Sequence, residues 1–427
     1  MLVQSSAFGY RTRDALVCTC LDHKGRIRHC WLVDTATGGE GGQARQPGSQ
    51  TALRTLNVQR VIGTLTTAGA CTQAELARHT GLSRATVSSI VRSMLDRGIV
   101  TTSPTTSSGR RALLVRLEDR GIVPVGVDLG RTHVRVCLAT LGYEMIAERS
   151  IALRSERRPR EGIDAAVGLL ADLLAETSVP RSAVVGVGVG IPGPIDNRSG
   201  LVLEGPLWPE WEDLDPQQAL EEALGVPVFL DNDANLGALA EVTWGPHSSA
   251  DNLVFLKLGS GIGCGLIVGG QPYHGHLGIA GEIGHSPISD TGPLCRCGNR
   301  GCLEMAASTS TMIDLLDRGR GPRMTTDDIV RQALAGDTAT LRVIEDAGVA
   351  TGRALASVVN LINPEIVVVG GPLAVLDQIL LAPIQRGLLR YAVAIAGQTT
   401  RVAVSSLGDR AEVLGAAALV LRHPVLG

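Results

Sequence analysis

The sequence predicts an α/β protein in which a small helical N-terminal domain precedes a larger body of alternating strands and helices. Residues 51–118 show helical spacing of apolar side chains and carry nine arginines against three acidic residues. From about Gly121 onward, short apolar strands rich in valine and glycine alternate with helical segments. A length of 427 residues is enough for two or three domains with cores of their own.

Composition predicts the compartment. No run of eighteen apolar residues is present, so we expect neither a membrane span nor a membrane partner. The first residues, MLVQSSAFGY, lack the basic start and the small-residue cleavage site of a secretory signal. The nine cysteines are an odd number with one main cluster, which is typical of a reducing compartment. We therefore expect a cytoplasmic protein.

Residues 1–50 are predicted to be a flexible N-terminal extension. The stretch from Thr35 to Gln50 is rich in glycine, glutamine and serine, a composition typical of flexible segments. Histidines and cysteines in this extension could be interpreted as a second metal site, but their spacing matches no closed coordination shell. These residues are Cys18, Cys20, His23, His29 and Cys30.

Residues 51–118 are predicted to form a helix-turn-helix domain. Apolar residues from Val58 to Leu65 recur at helical spacing, and Thr72-x-x-Glu75 is the capping-box start of a second helix. Gly81 makes the turn, and Ser83 caps a third helix. Two strands predicted between Ile99 and Leu117, around the segment SPTTSSGRR, would form a basic wing.

The outer face of the third helix is the predicted DNA-binding surface. Short hydroxyl side chains let a helix approach the major groove closely, while arginine can bond guanine or neutralise phosphate. An ordinary solvated helix face is the alternative, but the excess of positive charge on this domain favours DNA. The scarcity of aromatic residues argues against a single-strand binder. The predicted contact residues are Arg84, Thr86, Ser88, Ser89, Arg92, Arg110 and Arg111.

Glycine-containing turns follow several predicted strands of the body. The first strand ends in Asp128-Leu-Gly-Arg-Thr132, where Asp128, Gly130 and Thr132 could hold magnesium and phosphate. Glycine at alternate positions can bring backbone N–H groups close to phosphate oxygens. Packing alone is the alternative for these glycines. The later candidates are Gly259, Ser260, Gly261, Gly263 and Gly265 in one loop, and Gly370 with Gly371 after another strand, where an adenine could lie.

The segment Asp231-Asn-Asp-Ala-Asn235 stands between a predicted strand and a predicted helix. Open α/β sheets bind ligands at such a junction. Asp233 could accept a proton from a substrate hydroxyl, and Asn232 could bind neighbouring hydroxyls. The alternative is that these residues only cap the following helix.

A histidine and three cysteines cluster between Glu282 and Glu304. Three thiolates and one imidazole would complete a tetrahedral shell, the closed arrangement of a structural zinc site. Reduced core cysteines are the alternative, but the interleaved glycine and arginine do not resemble a buried apolar segment. The predicted ligands are His285, Cys295, Cys297 and Cys302.

Four motifs make residues 53–427 resemble the ROK family, a family of repressors, open reading frames and sugar kinases. The motifs are DLGRT at 128–132, DNDAN at 231–235, EIGH at 282–285 and CRCGNRGCLE at 295–304. The resemblance implies an actin-like, sugar-kinase ATPase fold with two lobes around a cleft. Lobe 1 would comprise about 119–235 plus 405–427, and lobe 2 about 236–404.

The resemblance also implies functional residues. Structural zinc would be held by the four ligands named above, and the glycine turns would bind ATP with magnesium wherever kinase activity is retained. Asp233 would then be the catalytic base. The resemblance places sugar contacts on Asn232, Asp233, Glu282, His285 and Glu304.

Two functions fit the resemblance. One is a sugar-responsive transcription factor, a repressor of carbohydrate genes that binds a palindromic operator as a homodimer or tetramer. The other is an ATP-dependent sugar kinase. A kinase has no need of a basic DNA-reading domain, so the sequence favours the regulator, with ATP chemistry residual or lost.

Overall fold

The computed structural model describes residues 11–12, 15–21, 27–32, 50–107, 110–118, 121–153, 159–196, 215–317 and 323–423. The chain separates into two compact units, Met1–Ala52 and Leu53–Gly427. The first unit contains an antiparallel sheet in the order β1-β2-β3, which the sequence did not predict. Its strands are β1 (Arg11–Thr12), β2 (Ala15–Leu21) and β3 (Ile27–Leu32). Residues 35–49 of the predicted flexible stretch, and the side chains of the N-terminal cysteines, lie outside the described residues.

The helix-turn-helix prediction is confirmed in its elements. Thr72 and Glu75 form the capping box, with the Glu75 carboxylate accepting from the Thr72 N–H at 2.8 Å. Gly81 adopts the left-handed conformation at the turn, and the Ser83 hydroxyl accepts from the Thr86 N–H at 3.1 Å. The elements are α1 (Gln50–Ala68), β4 (Cys71–Thr72), α2 (Gln73–Thr80), α3 (Arg84–Asp96), β5 (Val100–Ser107) and β6 (Arg110–Leu117).

The wing has longer strands than the sequence predicted. Strands β5 and β6 remain paired out to Ser107 and Arg110. The predicted loop SPTTSSGRR is therefore mostly strand. Its β-branched threonines favour extended backbone, and this preference outweighs the turn signal of the serines.

The first sheet of the body has the order β11-β10-β7-β8-β9. Strands β7, β10 and β11 are parallel, whereas β8 and β9 are added antiparallel on one side. Valines of β7 and β10 form its core with leucines of α4. The elements are β7 (Val123–Asp128), β8 (His133–Ala139), β9 (Met145–Ala152), α4 (Pro159–Thr177), β10 (Val184–Ile191), α5 (Pro216–Leu224) and β11 (Val228–Asn232).

The second sheet has the order β14-β13-β12-β15-β16, with β12, β15 and β16 parallel. Long helices cover it, and α10 packs along α11, where Gly352 and Gly387 permit close backbone approach. The strands are β12 (Leu253–Leu258), β13 (Ile262–Val268), β14 (Gln271–Pro272), β15 (Ile366–Gly370) and β16 (Arg401–Val404). The helices are α7 (Glu304–Ala307), α8 (Thr309–Leu316), α9 (Thr326–Leu334), α10 (Thr338–Ile362), α11 (Gln378–Tyr391) and α12 (Ala394–Thr399).

Two helices, α6 (Asp233–Thr243) and α13 (Ala411–Arg422), lie between the sheets. A Cβ atom on Gly415 would lie 1.9 Å from the Leu236 carbonyl oxygen, so the two backbones are in direct contact. Small residues at this crossing allow α13 to touch both α6 and the first sheet. The architecture confirms a two-sheet α/β body.

Helix α13 also reaches the winged helix. Leu421 at its C-terminal end is buried in the same hydrophobic cluster as Val61, Leu76 and Val91 of the helix-turn-helix. Leu141, which follows β8, belongs to this cluster too. The winged helix is therefore packed against the body through residues of α13 and residues that flank the first sheet.

None of the helices in the described part of the chain is long and apolar enough to cross a membrane.

Candidate functional site

A cavity of about 780 Å³ opens between the two sheets, at the carboxyl ends of their parallel strands. The structure brings all five predicted sugar-contact residues to its lining: Asn232, Asp233, Glu282, His285 and Glu304. The predicted nucleotide residues also line it, except for Gly265 and Gly370. Residues from four distant motifs thus meet in one cleft.

Asn232 and Asp233 have different roles at the start of α6. The Asn232 side-chain oxygen accepts from the Ala234 and Asn235 N–H groups, and its amide nitrogen donates to the Gly193 carbonyl at 3.0 Å. Asn232 is therefore the helix cap that the sequence left as an alternative. The Asp233 carboxylate lines the cleft beside it.

Glu304 and Glu282 also belong to the polar lining. Glu304 accepts from the Ile262 N–H at 3.1 Å and is ion-paired with Arg296 at 3.2 Å. Burial, together with the negative charges of Asp233 and Glu304, raises the pKa of Glu282 to about 7. Near neutral pH the Glu282 carboxyl group can therefore either donate or accept a hydrogen bond, as a sugar hydroxyl requires.

The four predicted metal ligands form one cluster, and their ligand atoms all lie within 4.8 Å of one another. The Cys295 Sγ–His285 Nδ1 and Cys297 Sγ–Cys302 Sγ distances are both 3.6 Å. Ordinary zinc–sulfur and zinc–nitrogen bonds in a tetrahedron place ligand atoms about 3.5 to 3.8 Å apart. The donor set and its spacing therefore fit a four-coordinate metal ion such as zinc.

His285 connects the metal cluster with the cleft. Its Nδ1 faces the cysteine thiols, while its Nε2 lies 3.9 Å from the Glu282 carboxylate. The two ring nitrogens therefore face different partners. One His285 side chain can thus be both a metal ligand and a sugar contact, as the sequence predicts. Gly301 permits the turn, because a Cβ there would lie 1.8 Å from the Ser289 carbonyl oxygen.

Lys257, which was not predicted from the sequence, lines the cleft. Its Nζ is 2.9 Å from Asp233 Oδ2 and 3.1 Å from Glu412 Oε1. A lysine inside the otherwise apolar strand VFLKL is a signal that could have identified it, since charged residues are almost never buried without a partner. Glu412, at the start of α13, was also missed.

His133 covers the first glycine turn. Its Nε2 lies 2.7 Å from Asp128 Oδ2, and a Cβ on Gly130 would lie 2.3 Å from the imidazole ring. Burial lowers the pKa of His133, but the hydrogen bond and the charge of Asp128 outweigh this effect and raise it. The predicted phosphate hairpin therefore carries an imidazole over its glycine.

Several glycines of the predicted nucleotide site are required by packing. A Cβ on Gly265 would lie 2.1 Å from the Ala234 carbonyl oxygen, and a Cβ on Gly370 would lie 2.4 Å from the Phe255 ring. Gly371 has a φ of +94° and lies equally close to the Leu258 backbone. These positions need glycine whether or not a nucleotide binds.

The predicted DNA-binding residues lie on one outer face of α3 and on the wing. Arg84, Ser89 and Arg92 are exposed, opposite the buried Val87–Met94 stripe. Ser88 is half-buried, and the half-buried Thr86 hydroxyl lies 2.8 Å from that of Ser83, so Thr86 also serves the helix cap. Arg111 on β6 is exposed. Arg110 is in β6, but its side chain lies outside the described residues.

A sequence model described as the ROK family matches residues 124–423. The chain belongs to the ROK family. A second model, of the MarR family, matches residues 55–111 and so covers the helix-turn-helix of this ROK protein. The two matched segments agree with the observed order of a winged helix followed by an α/β body.

Curated relatives of this ROK protein span nearly its full length. It is 29% identical over 389 residues to a putative xylose repressor of Caldicellulosiruptor sp. (strain Rt8B.4), covering 88% of this chain and 97% of the relative. It is 30% identical over 398 residues to the transcriptional dual regulator NagC of Escherichia coli K12, covering 91% and 97%. This ROK protein is accordingly a transcriptional regulator.

Solved structures agree with the fold. A ROK family transcriptional regulator described as a homologue of the E. coli MLC protein superposes with a TM-score of 0.74 at 25% identity, covering 88% of this chain and 98% of that one. A ROK family glucokinase from Streptomyces griseus, in complex with glucose and AMPPNP, gives a TM-score of 0.62 at 26% identity and covers 70% and 98%.

Proposed function

We propose that this protein is a repressor whose affinity for operator DNA is controlled by a sugar bound in the cleft. The observation that carries this proposal is the continuity of α13, which begins beside the cleft acids and ends within the core of the winged helix. The exposed basic face of α3 would read the major groove, and Arg111 would contact the backbone beside it.

Sugar recognition would use the polar lining of the cleft. Glu282, Glu304 and Asp233 supply carboxylates, and the Nε2 of His285 supplies a further polar contact. Zinc in the cysteine cluster would fix the orientation of the His285 ring, because one ring nitrogen would be bound to the metal. With four protein ligands the ion has no open position and would be structural.

An operator response requires that the sugar bind two states of the protein with different affinities. Relatives named xylose repressor and N-acetylglucosamine repressor make xylose and N-acetylglucosamine the first sugars to test. Fluorescence anisotropy with a labelled duplex from the region upstream of the gene would measure DNA binding while each sugar is titrated. One sugar of the panel should release the duplex.

Glu282→Gln should keep DNA affinity but lose the response to that sugar. A protein that ignores duplex DNA at low salt, or releases it equally with every sugar, would contradict the proposed function. Glu345→Gln is a matched control, because it removes a half-buried carboxylate of α10 that does not line the cleft.

A homo-oligomer with a palindromic operator is also proposed. Apolar side chains near the junction of α10 and α12 are unusually exposed: Leu361 at 83%, Val393 at 59% and Ile395 at 71%. The Val393 N–H donates to Asn360 at 2.9 Å, which brings the two segments together as one surface. Exposed apolar patches are typical of subunit interfaces, and two-fold dimers bind palindromes. Light scattering on wild type and Ile395→Asp would test this surface.

A further inference from the structure

The kinase branch of the ROK fold implies a magnesium nucleotide in the cleft, held by the Asp128–Thr132 hairpin and the Gly259–Gly265 loop. A magnesium ion needs carboxylate or phosphate oxygens that are free to face it. Among the acids that line the cleft, three are buried close to Lys257 and could supply such oxygens: Asp128, Asp233 and Glu412. The residues around these acids decide whether the ion fits.

Lys257 already binds two of the three acids. Its ammonium group lies 2.9 Å from Asp233 and 3.1 Å from Glu412, and its side chain is only 17% exposed. Burial by itself lowers the pKa of Lys257, but the charges of Asp233, Glu412 and Asp128 raise it well above the usual value. A cation fixed to the chain therefore stands where a divalent ion would have to be coordinated.

Both oxygens of Asp233 have donors. Oδ2 accepts from Lys257, and Oδ1 accepts from the Ala234 N–H at 2.8 Å. A sugar hydroxyl that approached the Asp233 carboxylate would have to share it with the ammonium group. This arrangement suits a hydrogen-bond acceptor for a bound sugar better than a base that removes a proton.

His133 binds one oxygen of the third acid, Asp128, and covers the hairpin glycine. The other oxygen, Oδ1, is buried and has no hydrogen-bond partner among the described residues. Asp128 Oδ2 accepts from His133, and the imidazole ring fills the space next to Gly130 that a phosphate oxygen would need. Burial raises the pKa of Asp128, but the hydrogen bond from His133 and the charge of Lys257 outweigh this effect, so the pKa lies below its usual value. The acid is thus held as an anion by positive groups of the chain itself.

We propose that Lys257 and His133 replace the magnesium ion and the nucleotide phosphate, so that this cleft binds its sugar alone. The residues present do not fit a magnesium nucleotide, although the DLGRT motif is intact. The inference depends on the proposed function only in taking a sugar as the ligand of the cleft. Binding of metal and nucleotide is measured without DNA, so this proposal and the proposed sugar-controlled repressor can fail separately.

The wild-type protein gives the first test. Mn²⁺ can replace Mg²⁺ and is detected by electron paramagnetic resonance. The zinc-loaded wild-type protein and Asp128→Asn should bind the same amount of Mn²⁺, because wild type has no site that depends on Asp128. Mg²⁺ with AMPPNP should produce no heat in calorimetry and should leave the affinity for the releasing sugar unchanged. Nucleotide binding, or an Mn²⁺ site that depends on Asp128, would overturn the proposal, and neither measurement depends on a variant of Lys257.

Lys257→Thr gives the second test, because it removes the ammonium group and leaves the three acids facing one another. This variant should gain an Mn²⁺ site that wild type lacks, with an affinity about a hundredfold above the detection limit set for wild type, since a repelling charge a few ångströms from the site has been removed. Arg331→Thr, which removes an exposed cation on α9, should match wild type. A folded Lys257→Thr protein with no gain in Mn²⁺ affinity would contradict the proposal.

Discussion

Glu412 and Leu421 lie on the same helix, nine residues apart, with Glu412 ion-paired to Lys257 in the cleft and Leu421 buried in the core of the winged helix. An α-helix rises about 1.5 Å per residue, so the two positions are about 13 Å apart along one rigid element. A tilt of α13 that followed a change at Lys257 would therefore reach the DNA-binding domain through a single helix.

The first prediction concerns this coupling. Leu421→Ala should leave the sugar affinity unchanged but weaken the effect of the sugar on DNA binding, because the winged helix loses its contact with the end of α13. The cavity should also cost about 2 to 4 kcal/mol of unfolding free energy. Calorimetric sugar titration and DNA anisotropy on one preparation would separate the two effects.

Leu419→Ala is the matched control, since Leu419 is on the same helix but packs against α6 within the body. It should lose comparable stability and retain the coupling. Equal loss of coupling in both variants would show that general destabilisation, rather than the contact at Leu421, is responsible.

The second prediction concerns the metal cluster. Cys297→Ala should reduce the bound zinc from about one ion per chain to near zero and should abolish the sugar response, because His285 loses its fixed orientation. Mass spectrometry of metal content after dialysis would measure the first effect. Cys264→Ala, a buried cysteine outside the cluster, should retain the metal. Unchanged zinc in Cys297→Ala would refute the site.

The third prediction concerns the DNA surface. Arg111→Ala should weaken binding by a similar factor on all duplexes. It should also reduce the slope of the logarithm of the binding constant against the logarithm of salt concentration by about one, as expected for one lost phosphate contact. Arg84→Ala should instead reduce the discrimination between operator and unrelated DNA by about 1 to 3 kcal/mol. Salt titrations on both duplexes would distinguish these outcomes, and an effect of the same kind from Arg386→Ala on α11 would argue against specific contacts.

The fourth prediction concerns pH. Since folding raises the pKa of His133, the stabilisation from its charged form is fully present below about pH 6.5 and is lost as the pH rises through the folded value. Folding lowers the pKa of Asp128, so its contribution is present above about pH 3.9 and is lost as the pH falls further. The difference in melting temperature between wild type and His133→Gln should therefore be largest near pH 5 to 6 and should shrink toward pH 9. A difference that grows with pH would contradict the assigned ion pair.

Local signals account for what the sequence predicted well. The start of α2 was predicted because Thr72 and Glu75 are three residues apart. Strand β9 was missed because most of its residues are exposed and its pattern resembles a polar loop. The four metal ligands were found because they are close in sequence and chemically distinctive.

Nonlocal contacts account for what it missed. Lys257 was read as one residue of an apolar strand, and its partner Glu412 begins a helix far along the chain. Nothing within either segment indicates the other. His133 directly follows the DLGRT motif, yet only the folded hairpin places its ring over Gly130. The motifs identified the cleft, whereas the charge balance inside it required the fold.

The positive charge of Lys257 belongs to the polypeptide, so every copy of the protein carries it at all times. If Lys257 replaces the magnesium ion as proposed, the sensor would not respond to changes in cellular energy status or in free magnesium. We therefore expect its output to follow the supply of one nutrient, and to remain the same in growing and in starved cells that contain equal amounts of that nutrient.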